Sequence, residues 1–119
     1  MVESVGSDAL RLAWDNANYV QCGVRPFTDG WGLLAPYVVY LQVKDALAAD
    51  GTVVPAGEGD GELRETLTAL RDAGYDGHAS LEPHLASATR LGGSSGPAAF
   101  GRAARAFRDL TRQIGVTLR

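Results

Sequence analysis

The chain has 119 residues, 45% of them hydrophobic, with a net charge of −3 and a pI near 5.2, which fits one globular domain over 1–119. The acidic balance argues against a nucleic-acid partner, and no apolar run approaches the ~20 residues that span a bilayer. The N-terminus, Met-Val-Glu-Ser, lacks the basic and apolar regions of a signal peptide, and the sole cysteine, Cys22, can form no internal disulfide, so a cytoplasmic location is expected.

Residues 9–14 form a short, mostly apolar run of strand length that ends at Asp15, although periodicity alone does not separate strand from helix there. Residues 16–36 are interrupted by Gly23, Pro26, Gly30, Gly32 and Pro36, leaving room for a short or irregular helix around 29–35. Residues 37–43 (YVVYLQV) are the clearest strand, β-branched and aromatic, and apolar on both faces up to Gln42 as in a buried parallel strand. Residues 46–61 read as a loop rich in glycine and acid. An amphipathic helix follows over 62–73, with Leu63, Leu67 and Leu70 on one face, Asp60 or Gly61 as its cap, and Gly74 as its stop. Residues 78–82 form a third short strand and 85–96 a loop of small residues. Pro97 then opens a last helix, whose apolar face is Phe100, Ala104, Phe107, Leu110 or Thr111, and Ile114, ending at Gly115. Its arginines lie largely off that face and read as a solvated surface.

This order predicts an α/β fold with a parallel three-stranded sheet and helical crossovers. The polar residues that close the strands, Asp15, Lys44 and Glu82, recur at ~30–40 residues, the pitch of β/α units in a barrel of ~250 residues. A doubly wound sheet gives a similar spacing. Lys44 stands out further, since every other basic residue is arginine and a compact ammonium is not reproduced by a planar guanidinium.

The blocks AWDNAN (13–18), YLQVKDA (40–46), VPAGEGD (54–60), LRDAGYDG (70–77) and SLEPH (80–84) occur in this order. Together they resemble the final third of xylose isomerase-like sugar isomerases and epimerases, also called sugar phosphate isomerase/epimerases. The resemblance covers nearly the whole chain and implies about three C-terminal β/α units of a partial (β/α)8 TIM barrel. It further implies a divalent metal cation (Mn, Co, Mg or Zn) at the C-terminal mouth, held by two glutamates, an aspartate and a histidine. Carried over, the aspartate is Asp15 and the last glutamate is Glu82. Gln42 stands at the histidine position, in Gln-Val-Lys-Asp where the family often has His-x-Lys-Asp. The other glutamate belongs to an earlier strand that this chain lacks.

The implied activity is aldose–ketose isomerisation or epimerisation of a small sugar or sugar phosphate through an enediolate. A cation would stabilise the enediolate oxygen while carboxylates move the proton. Glu82 is then the catalytic candidate, and Asn18 and Lys44 are substrate-binding candidates. Plainer readings stand beside each: Asp15 as the cap of a turn, Asn18 as a turn residue, and Gln42 as a satisfied amide and a weaker ligand than histidine. Lys44 reads more readily as a structural ion-pair partner of Asp45 or Glu58 inside the mouth, and Glu58, between two glycines, as an anchor of the mouth. His78 reads as structural or exposed, and His84 is not assigned as a ligand.

Half of the catalytic set is missing, so the chain is expected to be inactive alone and completed by self-association or by an N-terminal barrel portion. The alternatives are a non-catalytic remnant and a binding or interaction domain of the same fold. An abasic-site endonuclease of the related barrel class is disfavoured by the acidic balance and by only two histidines.

Overall fold

The computed structural model describes residues 2–85, 87–89, 92–94 and 96–119. In chain order it contains α1 (Val2–Val5), β1 (Leu12–Asp15), α2 (Asn16–Gln21), a π-helical turn (Pro26–Trp31), α3 (Gly32–Leu34) and a 3-10 turn (Ala35–Tyr37). These lead to β2 (Val38–Val43), β3 (Asp45–Ala46), β4 (Val53–Val54), α4 (Leu63–Asp72), β5 (His78–Leu81), β6 (Ser87–Thr89), β7 (Gly92–Ser94) and α5 (Pro97–Gln113).

The three main strands form a parallel sheet in the order β1-β2-β5. The connections between them run through helical segments, because parallel neighbours cannot be joined by a tight turn. The fold class is therefore the expected one: α/β with a parallel three-stranded sheet, as in part of a TIM barrel. Two small antiparallel pairs, β3 with β4 and β6 with β7, decorate it.

A core of buried residues holds the layers together. Trp14, Leu41 and Val43 from the sheet pack with Leu63, Leu67 and Leu70 of α4 and with Phe107, Leu110 and Ile114 at α5. The leucines of α4 recur at i, i+4 and i+7, which puts them on one stripe. Trp14 also meets Tyr19 at 4.6 Å between ring centroids and Trp31 edge-on at 5.0 Å. Gly74 and Gly115, at φ 73° and 75°, end the two long helices in the left-handed region where a side chain would be strained.

Four expectations are corrected. Segment 16–36 is more helical than expected: the irregular helix around 29–35 is there, as the π-helical turn, α3 and the 3-10 turn, but α2 precedes it, and Gly23 at φ 78°, Pro26 and Pro36 punctuate these short helices. The start of α4 is not capped by the Asp60 or Gly61 side; its N-cap is Glu62 at φ 53°, with no side-chain cap. Loop 85–96 contains the antiparallel pair β6–β7, with 86, 90, 91 and 95 outside the described residues. In α5, Ala103 and Thr111 are buried with Phe107 and Leu110, whereas Phe100 in the first turn remains 48% exposed.

The sheet also differs from a strand set buried on both faces. Side chains alternate along a strand, so Leu41 and Val43 face the helices while Tyr40 and Gln42 face the other way. Ala13 and His78 on that second face are exposed, and Tyr40, Gln42 and Ser80 are half-buried. Both α4 and α5 contribute to the core on the first face only.

Candidate functional site

The second face, partly exposed, carries the polar residues. Asp15 pairs in register with Gln42, and Gln42 with Ser80. Lys44 lies just past the end of β2 and Glu82 just past the end of β5, where the Glu82 N–H donates to the Val43 carbonyl at 3.1 Å. All three charged side chains thus stand at the C-terminal ends of adjacent parallel strands. The Lys44 ammonium lies 3.1 Å from Asp15 Oδ2 and 3.1 Å from Glu82 Oε2. Lys44 and Asp15 are buried, and Glu82 retains 35% side-chain exposure. The partners of Lys44 are therefore two residues distant in sequence, and neither Asp45 nor Glu58.

Asp15 serves two neighbours. Its Oδ1 accepts from the Asn18 N–H at 3.1 Å and caps α2, while Oδ2 faces Lys44 at ion-pair distance without a well-directed hydrogen bond. Burial pushes its carboxyl above the usual range, as does the Glu82 charge more weakly; the Asn18 N–H and Lys44 oppose the shift. The Asn18 side chain is exposed beside this cap. His84 Nε2 sits 3.8 Å from Glu82 Oε1, and the His84 backbone takes φ 43°, a region rarely used by a non-glycine residue.

Asp45, next to Lys44, anchors the following loop. Its Oδ1 accepts the N–H groups of Ala46 (2.9 Å) and Gly61 (2.8 Å), and its Oδ2 those of Gly57 (3.0 Å) and Gly59 (3.1 Å). Burial pushes this carboxyl up as well, and the four N–H donors oppose the push. The glycines are required by proximity: a Cβ on Gly59 would stand 2.5 Å from Asp45 Oδ1 and 2.6 Å from the Ala46 carbonyl, and one on Gly61 would stand 2.6 Å from Oδ1. Glu58, between the glycines, turns outward to Arg102 at 3.4 Å and is exposed.

Two further residues brace the rim, and neither stood out in the sequence. Asn16 is fully buried and donates to the Gly61 carbonyl at 2.6 Å and to Thr66 Oγ1 at 2.9 Å. Glu62 reaches back to the π-helical turn, where Oε1 accepts the N–H groups of Phe27 and Thr28, both at 3.1 Å. An acid following a glycine-rich loop hints at such a cap, but the sequence names no partner. A cleft of about 700 Å³ lies at the other end of the sheet, lined by Tyr75, His78, Phe107 and Val116 but by none of the three rim charges.

No protein-family model matches the chain. The crystal structure of a xylose isomerase domain protein from Planctomyces limnophilus superposes with a TM-score of 0.70 at 23% identity, over 96% of this chain and 40% of that one. The chain has a xylose isomerase-like fold. A 2-epi-5-epi-valiolone 7-phosphate 2-epimerase from an Actinoplanes species is 38% identical over 71 residues, which is 60% of this chain and 26% of the epimerase. The chain therefore spans about a quarter of that curated relative and two fifths of the solved structure.

The xylose isomerase-like resemblance implies a divalent cation, and the donor set can be tested against one. Asp15 and Glu82 do aim carboxylate oxygens at a common point, but that point is the Lys44 nitrogen. Gln42 contributes only a neutral amide from the same face. Among the described residues no three His, Cys, Asp or Glu side chains group closely enough to hold a metal ion. The residues of this rim do not fit the cation, and no chemical step is derived through one.

Proposed function

We propose that this chain forms part of the rim of a sugar isomerase or epimerase, moving a proton at a carbon next to a carbonyl within a longer barrel. The Asp15–Lys44–Glu82 array at the C-terminal strand ends carries the reading, because barrel enzymes place their chemistry at that end. Glu82, half exposed and held by Lys44, is the carboxylate that exchanges the proton. Lys44 holds Glu82 in place and offers a positive charge to an oxygen that gains electrons as the proton leaves. The epimerase and xylose isomerase relatives support a small sugar or sugar phosphate as substrate. The partly exposed sheet face and, among the described residues, the open edges at β1 and β5 support a need for completion by further barrel strands or by self-association.

The test is proton exchange in D2O, read by NMR as loss of the α-proton from a panel of ketoses and ketose phosphates. The isolated chain is expected to give no exchange. A chimera that seats this chain in a full-length xylose isomerase-like barrel is expected to exchange, with Glu82→Gln reducing the rate by about 100-fold or more, the scale of a lost acid/base group. A chimera in which Glu82→Gln leaves the rate unchanged would overturn the assignment.

A further inference from the structure

The gap between Asp15 and Glu82 is already occupied by a positive charge that the fold itself supplies. A divalent ion bound there by carboxylate oxygens would sit at ~2.0–2.6 Å from them, whereas the Lys44 nitrogen stands 3.1 Å from an oxygen of each. Both cannot share the space, and two cations so close repel strongly in a buried setting. The lysine is not a floppy surface group. It is 93% buried, and its backbone neighbour Asp45 is fixed by four N–H groups of the glycine loop. Gln42 and Ser80, in register beside Asp15 on the same face, bring no charge to compete for either carboxylate.

We propose that the Lys44 ammonium is the resident cation of this rim, holding the place between Asp15 and Glu82 and keeping a divalent metal out. The inference concerns the same rim as the proposed activity, but its test involves no turnover, so either can fail without the other. Lys44 is the sole lysine of the chain, which gives one side-chain ammonium signal in a 15N-labelled sample. That signal is expected to persist at neutral pH, because an ammonium held by two carboxylates exchanges slowly with water, and to shift in Glu82→Gln. One equivalent of paramagnetic Mn2+ is expected to leave it, and the backbone amides of Asp15 and Glu82, unbroadened. In Lys44→Met, Mn2+ titrated by electron paramagnetic resonance is expected to bind at least about 10-fold more tightly than in the parent chain. That gain should vanish when Glu82→Gln is added.

Saturable Mn2+ binding to the parent chain that broadens the Lys44 signal and is lost in Glu82→Gln would overturn the proposal. A folded Lys44→Met variant with no gain in Mn2+ affinity would overturn it equally. If Lys44→Met does not fold, the broadening experiment on the parent chain decides alone: broadened Asp15 and Glu82 amides refute the proposal and sharp ones support it.

Discussion

Replacing Asp45 by asparagine separates the two halves of its anchoring role. Asparagine keeps one acceptor oxygen and swaps the other for a donor. The oxygen belongs at the Oδ1 position, where the N–H groups of Ala46 and Gly61 come from buried residues, and the amide nitrogen then faces the N–H groups of Gly57 and Gly59. Two hydrogen bonds to a charged acceptor are lost at about 1.5–3 kcal/mol each, offset in part because a neutral amide is less costly to bury, for a net loss of about 2–4 kcal/mol. With a urea slope of about 2 kcal/mol per molar, the unfolding midpoint should fall by about 1–2 M. Amide hydrogen exchange should then rise sharply at Gly57 and Gly59 and change less at Ala46 and Gly61. An unchanged midpoint, or equal loss of protection at all four amides, would show that the carboxylate does not organise the loop in this way.

Other substitutions probe the frame around the rim. Gly59→Ala puts a methyl against the Asp45 carboxylate and the Ala46 carbonyl and should lose about 1–3 kcal/mol by chemical denaturation. Glu62→Gln weakens the cap on the π-helical turn and should lose about 1 kcal/mol, with faster amide exchange at Phe27 and Thr28. Asp15 has a carboxyl raised by burial, so its folded form holds the proton more tightly than its unfolded form. Relative to Asp15→Asn, the parent chain should gain stability as pH falls through the folded value, with the gain complete below about 3.8 and absent well above the folded value. Parallel urea titrations across pH would show a constant difference if that burial is wrong.

The regular parts of the fold were legible because their signals are local. The branched run before Gln42 forms β2, and the leucine spacing of α4 and the glycines after both long helices mark those elements within a residue or two. Segment 16–36 was harder, because glycine and proline punctuate short helices as readily as they break long ones. Only the burial of Trp14 against Tyr19 and Trp31 decides between those outcomes. At the rim, the strand-end spacing placed Asp15, Lys44 and Glu82 on one side, while the choice of partners depended on strand order. Lys44 bridges its two neighbouring strands, and nothing in Lys44-Asp45 reveals that the lysine turns to one face while the aspartate turns into the loop. The repeated glycines drew notice to Glu58. Their role is to let the backbone approach a different carboxylate.

The Asp45 anchor also divides the excursion between β2 and α4 into two parts. Residues 55–61 are tied down through the carboxylate, while the tip from Ala48 to Gly51 is closed by its own turn, with Gly51 donating to the Leu47 carbonyl at 2.8 Å and Leu47 to that of Thr52 at 2.9 Å, and is tethered at the surface by the Ala48 N–H on Asp60 at 2.7 Å and by Gln21 on the Gly51 carbonyl at 3.0 Å. Extra residues spliced into that tip would lengthen a solvated bend and leave Lys44 where it is. The chain thus keeps its charged rim insulated from a stretch where its length can drift.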